Sequence, residues 1–529
     1  MREGGLAVAA EGGAHDAAGF STPTEILHPR AVPDQSRTSP RIRPAAGSRD
    51  NLLRERAGGF MLSPEAFMRA LAAILGIGIR AAVMILPAAF AVAAPPEGAG
   101  GGPGGPGGGL PRAGTRELMA PGALVVTVEP SRALGTSLDA KRPTSDLQGL
   151  LSRLDGPVEI QLMPGHYDLA AFPFNDLACI DCDIPSMGAI ATAGLRVRGR
   201  QIKIIGAAPE SVFIHTNAGY GILFDECDDC VLRGVTITDG VRDGDPGAVS
   251  AAVVVRNARV KIEGCAIRDN LGDATSVAAA RAGVGGIAAR EGSEIEVKHC
   301  RIVRNSGDGI ALYETATAEI HDNLIDGVDR ARGPGSAGGA GVGVALAGKS
   351  SAKLEGNFVT RYWKGIGVFG EAHAQIERNV VEDVFAWGIS CRDDRGAGPV
   401  AFIRQNAIHM TGSCGAALAQ RTGVARRPGA FAGNAVVKTG QGDSPGDAYG
   451  EGLPPYRQIA LDDAGVPAGF EIRNNIFHAN REAGGAPGQL DLDDAAFRRE
   501  AQSLADRLAK HDTLRGSSFV RTYSKRLAY

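Results

Sequence analysis

The densest group of chemically capable side chains lies between residues 361 and 409. Trp363 and Trp387 are the chain's only two tryptophans, and both stand in short turns. The first turn also carries Arg361, Tyr362 and Lys364, the second Glu382, Asp383 and Phe385, and His409 follows one repeat later. Aromatic faces beside cations and carboxylates suit a polysaccharide: rings stack on sugar faces, Arg and Lys pair with uronate or sulfate groups, and acids deliver protons. Two reactions would use such a set. A lyase needs a base beside a uronate, a role for Lys364, Arg361 or Tyr362 if burial or neighbouring charge lowers the pKa. A glycosidase needs two carboxylates flanking the bond. Glu382 and Asp383 are adjacent and point to opposite faces of an extended chain, so Glu382 would need Asp308 or Asp326 as its partner. The candidate catalytic residues are therefore Lys364, Arg361, Tyr362, Glu382, Asp383 and His409. The candidate substrate-binding residues are Trp363, Trp387, Phe385, Arg304 and Asp308. In the competing reading the aromatics simply cover the ends of an apolar core.

These turns belong to a repeat. Nine phrases such as Ile320-His-Asp-Asn-Leu-Ile325 and Ile376-Glu-Arg-Asn-Val-Val381 recur, with shortest spacings of 22 and 23 residues. Their fourth position is Asn in six phrases and Cys in two, Cys265 and Cys300. A second short strand follows in each unit, as in Gly309-Ile-Ala-Leu and Gly365-Ile-Gly-Val. Alternating strands this short cannot bury an apolar face alone, so the units must stack coil on coil. A repeated Asn at a strand-ending turn can bond the backbone of the next coil. Insertions at 239–251, 270–285 and 327–340 share one phase and should project as one wall.

The repeat resembles the right-handed parallel β-helix family, the pectin-lyase-like and carbohydrate-binding repeats, over residues 123–485. Val158-Glu-Ile-Gln-Leu-Met-Pro-Gly-His-Tyr-Asp-Leu169 is similar to the first coil common there. The resemblance implies an all-β, single-stranded solenoid with short capping helices, Asp146–Leu154 at the open start and Leu492–Lys510 packed on the C-terminal end. It implies a polysaccharide partner and, for an enzyme, a polysaccharide lyase or glycoside hydrolase. Whether the chain is an enzyme stays open, because this fold carries many activities. The Arg-x-Pro-x-x-Arg of pectate lyases is absent, as are the Asn-Thr-Asp, Gly-His-Gly and Arg-Ile-Lys set of polygalacturonases and the Asp-Pro-His of alginate epimerases. Asp393-Asp394 resembles the paired aspartates of polygalacturonases without their partners. The alternative function is a non-catalytic envelope scaffold or adhesin-like protein. A periplasmic maturation factor like the copper-enzyme accessory β-helix proteins would want a Met- or His-rich tract, which is lacking.

Composition and ends bound the rest. At 529 residues, length alone suggests three domains, but a solenoid takes most of the chain. A net charge of −3 with no basic run excludes nucleic acid as the expected partner. Met68–Ala94 has a basic start, an apolar body and an Ala-Val-Ala end, the pattern of a secretory signal within 61–94. Arg80 divides the apolar run and argues against a span, so no transmembrane segment is expected after cleavage. Residues 1–60 read as an over-extended start, 95–122 as a Gly/Pro-rich linker, and 486–529 as a C-terminal cap and tail. A periplasmic or extracellular monomer follows. The eight cysteines then suggest disulfides among Cys179, Cys182, Cys227 and Cys230, fastening the first coils, and between Cys391 and Cys414. Cys265 and Cys300 are expected free. A four-thiolate metal site is the lesser reading of the two C-x-x-C pairs. No cofactor is implied with certainty; Asp181, Asp183, Asp225, Glu226, Asp228 and Asp229 could hold calcium. His215, His299, His321 and His373 read as solvated surface residues.

Overall fold

Alternation decides the architecture. In Ser351–Glu355 the side chains of Ala352 and Leu354 are buried while Lys353 and Glu355 face outward, and the same two-residue period runs through His373–Glu377 and Thr317–His321. One coil strings three such strands together, for example Ser351–Glu355, Phe358–Thr360 and Lys364–Val368, before the next begins at His373. In the computed structural model the coils stack into three sheets. Sheet 1 runs from Leu124–Val128 to Phe470–Arg473 and has twelve strands; sheet 2, from Gly165–Asp168 to Leu490–Asp491, also has twelve; sheet 3, from Phe172–Asp176 to Leu461–Asp462, has eleven. Every described pairing is parallel except that of Phe172–Asp176 with Ala189–Arg200, which is antiparallel. The structure describes residues 124–130, 146–154, 156–176, 188–280, 282–328, 341–391, 398–418, 428–440, 458–463, 466, 469–482, 490–491 and 494–527, all within one compact unit, Pro111–Tyr529. The expected signal, linker and N-terminal extension lie outside them, as do Cys179, Cys182, Asp181, Asp183 and Asp393-Asp394.

Identical faces stack because the register is exact from coil to coil. Val297, Ile320, Leu354, Ile376, Ile403 and Phe431 form one interior column, and Ile302, Ile325, Val359, Val381, Ile408 and Val436 another. Together with the inward residues of sheet 3 they make one continuous core. The corner between sheets 1 and 2 is tight. Its third residue takes a positive φ in every phrase, whether Gly (234, 264, 356, 433) or His299, Asp322, Arg378, Gln405 and Asn474. Asn and Asp tolerate this region best among the non-glycines and the rest are held there by the stack.

The next residue builds the ladder. Asn357 Nδ2 donates to Ile320 O of the preceding coil at 2.7 Å, and its backbone N and Nδ2 both reach Asn379 Oδ1 of the following one. Asn323, Asn379, Asn406 and Asn434 repeat the pattern, and Asn475 ends it. Only a side chain with donors and an acceptor satisfies both neighbours at a fully buried corner. Where the column carries cysteine the thiol still donates to the same carbonyl position, Cys265 Sγ to Leu232 O and Cys300 Sγ to Ile262 O. Both cysteines are free and buried, as the sequence suggests.

Helices of the described residues sit at three places. Helix α1, Asp146–Leu151, puts Leu147 and Leu151 into the start of the core. Toward the end, α3 (Asp494–Leu508) and α4 (Ser518–Tyr523) follow α2 (Ala274–Ala280) of the second insertion. Helix α3, expected on the C-terminal end, reaches the late strand Ile476–His478, where Phe497 stacks on His478 at 4.0 Å, and runs back along sheet 2. Phe497, Leu504, Leu508, Phe519 and Val520 lie on Val380, Ala407, Ala435 and Val437, the outward side of sheet 2. Those strands are apolar on both faces, so a partner must cover the outer one.

Candidate functional site

The structure divides the sequence-derived candidates among four environments. Tyr362 is part of the interior core, fully buried, with its hydroxyl unpaired and its pKa driven far up by desolvation. Glu382 and His409 sit on sheet 2 beneath the C-terminal helices. Glu382 accepts bonds from Ser518 N and Oγ and Phe519 N, and His409 Nδ1 lies 3.3 Å from it. Burial opposes its ionisation, yet the bonds from His409 and Ser518 hold its pKa below the usual carboxylate value. Glu382 thus anchors the tail to the coil. Arg361, Asp383 and Arg304 occupy the corners leaving sheet 2, each with positive φ. Arg361 makes a two-pronged bond to Asp326, at 2.8 and 2.5 Å, and Arg304 Nε lies 3.8 Å from Asp269.

The remaining five converge at the edge of sheet 3. Lys364 and Trp387 are register partners on neighbouring strands, Lys364–Val368 and Trp387–Cys391. The Lys364 ammonium stands 4.4 Å from the Trp387 ring centroid and 5.7 Å from that of Phe369. Phe369 folds over Gly367, where a β-carbon would meet its ring at 2.4 Å, so the absence of a side chain there makes room for the ring. Trp363 stacks on Phe385 at 4.6 Å and 25°, with Ala386 beside them. Trp363 is almost fully buried, whereas Trp387 and Phe385 keep part of their surface. Asp308 lies under Gly341–Val342 and accepts a bond from Val342 N at 2.6 Å. Desolvation raises its pKa, although the backbone bond and Lys364 oppose this. An acid held toward its neutral form, a cation and a half-open indole therefore share one edge, which suits hydrogen bonding and stacking with a sugar.

Two further sites have other properties. A shallow groove of about 530 Å³ crosses the outer face of sheet 1. Its charges balance, with Arg259, Lys261 and Lys353 against Glu294, Glu296 and Glu319, and neighbours pair, Arg259 with Glu294 at 3.0 Å. That leaves no excess sign for an anionic polymer. The second is a buried ionic cluster on the outer side of sheet 3 that sequence reasoning missed. Asp176 binds Arg256, Arg290 and Tyr220, and Asp225 binds Arg196, Arg198 and Arg256. Its one sequence signal was the alignment of Asp225, Arg256 and Arg290 at the ends of successive strands. Asp225 is thereby committed to arginines, while Asp228 pairs with Arg200 and Arg259 and Glu226 lies 3.9 Å from Arg198. Among the described residues no group of three or more His, Cys, Asp or Glu could hold a metal ion.

The expected disulfide at Cys227 and Cys230 is present, while its coil-fastening role and the Cys391–Cys414 pairing are corrected. Cys227 and Cys230 bond to each other, Cα atoms 6.3 Å apart, so this bridge closes one corner and fastens no coil to another. Cys391 and Cys414 form no disulfide. Ile389 pairs with Ala416 and Ser390 with Ala417, so Cys391 lies beyond the paired residues and Cys414 before them; Cys391 belongs to the interior core, whereas Cys414 packs outside it beside Trp387 and Ile459. Side chains on opposite faces of a sheet cannot bridge.

Three parallel sheets, short coils and a buried Asn ladder settle the fold. The chain is a right-handed parallel β-helix protein. The family model described as "Right handed beta helix region" matches residues 180–359. No curated protein matches the chain in sequence. Among solved structures, the periplasmic alginate epimerase AlgG is 12% identical, covering 63% of this chain and 82% of its own at a TM-score of 0.36. Pectate lyase Pel9A is 10% identical over 71% and 84%, TM-score 0.31. A GH87 α-1,3-glucanase catalytic domain in complex with tetrasaccharides is 11% identical over 63% of each chain, TM-score 0.37. At these identities and TM-scores the likeness carries nothing over to this chain.

Proposed function

We propose that this β-helix protein is secreted and binds an acidic polysaccharide along the edge of sheet 3, with Trp387 as stacking platform and Lys364 as counter-charge. The observation that carries the reading is the Lys364 ammonium poised 4.4 Å over a half-open indole. A cation over a ring costs little to retain and is oriented to meet a carboxylate or sulfate arriving on the same face. The acidic residues support binding rather than cleavage. Asp308 lies at sheet 3 and Glu382 under the helices on sheet 2, so they do not flank a common bond. Trp363, by contrast, favours the covering role: it is closed off beneath Phe385.

Retention of the full chain on immobilised uronate and sulfated polymers tests this, with unsaturated uronate absorbance and new reducing ends followed in parallel. Retention that weakens about tenfold in W387A and K364M, roughly 1.4 kcal/mol, without product, is the expected result. Retention unchanged in both variants, or none on any polymer, would leave the scaffold reading ahead. Product formation would make the chain an enzyme.

A further inference from the structure

The first coils carry a second polar constellation, on a part of sheet 2 ahead of the C-terminal helices, whose contacts begin near Asp322. His166 lies on the strand Gly165–Asp168, His215 on Val212–His215, and Asp239 directly after Thr236–Thr238; these are three neighbouring strands of sheet 2. His166 Nδ1 faces His215 Nε2 at 2.8 Å. His215 Nδ1 in turn faces Asp239 Oδ2 at 2.5 Å. The His166 ring is held by stacking on Phe213, at 4.8 Å and 10°, and on His215 itself, at 5.1 Å and 20°.

Tautomer logic follows from the carboxylate. With the Asp239 carboxylate as acceptor, His215 Nδ1 is the donor toward it and His215 Nε2 is left facing His166. A single proton then fills the space between two oriented imidazole nitrogens. The His215 side chain is 22% exposed and that of Asp239 50%, so an ion from solvent can reach the pair.

We propose that His166 Nδ1 and His215 Nε2 chelate a divalent late transition ion, zinc, nickel or copper, with Asp239 orienting His215 from behind. Imidazole nitrogens suit these ions and not calcium or magnesium. Metal–nitrogen bonds of about 2.0–2.1 Å at a tetrahedral angle place the two nitrogens about 3.3 Å apart. The nitrogens now face each other across one hydrogen bond, so binding opens them by about half an ångström and swings both rings until their lone pairs converge on the ion. His166 shifts to its Nε2–H tautomer as Nδ1 takes the metal. Asp239, bonded to the far nitrogen of a ligand, has the place of the carboxylate in a carboxylate–histidine–metal triad. Among the described residues no third His, Cys, Asp or Glu joins as a direct ligand, so water completes the shell. The bound ion would clip the first coils together through their side chains.

The test is a copper(II) and zinc(II) titration of the full chain by calorimetry, with electron paramagnetic resonance of the copper form. One equivalent with coupling to two nitrogens is expected. It should be lost in both H166A and H215A and weakened 10–100-fold in D239N, with unchanged circular dichroism. His321 serves as the control: it lies edge-on to His299 with ring centroids 6.1 Å apart, and H321A should bind as the wild type does. Absence of binding in the wild type, or binding undiminished in H166A and H215A, overturns the proposal.

Discussion

Glu291 occupies the corner after Gly285–Arg290, at φ 41° and only 8% exposed, with Oε2 lacking a hydrogen-bond partner although Arg290 Nε is 2.9 Å away. Burial raises its pKa from 4.5 to about 7, with Arg290 pulling the other way. Between those values the folded chain keeps a proton that the unfolded chain has released. Stability therefore falls as pH rises through that window, by up to roughly 3 kcal/mol. Glu291→Gln, neutral throughout, should flatten the melting temperature between pH 4.5 and 7; a wild-type slope in the variant would contradict this. Glu382 has the opposite sign. Its depressed pKa means its contribution is complete above the ordinary value of 4.5 and is lost as pH falls through the lower folded value. Glu382→Ala should cost about 1–3 kcal/mol by orphaning the donors of Ser518 and Phe519. Amide exchange at Ser518–Val520 should quicken before the rest of the coil responds.

Ladders and covers act at the scale of elements. Removing the Asn379 amide by substitution with Leu strands the backbone N and Nδ2 of Asn357 and the carbonyl of Leu354 together. Each orphaned buried group costs about 1–3 kcal/mol, so the variant should melt far below the wild type or fail to fold. Cys300→Asn is expected to behave differently. Cys300 already donates to Ile262 O, and its own backbone N bonds Asn323 Oδ1, so an amide extends the existing column. A melting temperature at or above that of the wild type is expected, and a loss of several degrees would show that the cysteine column has its own packing demands. That the ladder existed was readable from six asparagines in phase. That thiols continue it was not, because the donor geometry depends on a carbonyl one coil away.

At the scale of the molecule, the tail is a wall of the structure. Deleting residues 492–529 would bare Val380, Ala407, Ala435 and Val437, which α3 and α4 cover. The truncated chain should bind a hydrophobic dye and self-associate in size-exclusion chromatography; a monodisperse, dye-silent product would mean the outer face of sheet 2 tolerates water. The amphipathic pattern of Phe497, Leu504 and Leu508 announced a helix, and helix it is. Where it docks was hidden, since a stripe of apolar residues specifies that a surface must be buried and is silent on which one.

Periodicity by itself determined the coil, its strand phases, the Asn corner and the interior columns, because a two-residue alternation repeated every 22 or so residues admits one way of burying its apolar half. Only the tertiary structure decided which chemistry shares a face. Residues 361–364 are consecutive, yet they turn a corner: Arg361 points to Asp326, Tyr362 enters the core, Trp363 stacks on Phe385 and Lys364 meets Trp387. Likewise Cys391 and Cys414 belong to neighbouring coils but opposite sides of a sheet. Conversely Asp176, Arg256 and Arg290 converge across 114 residues. At a solenoid corner one residue of register exchanges inside for outside, so nearness in sequence and nearness in space separate there first.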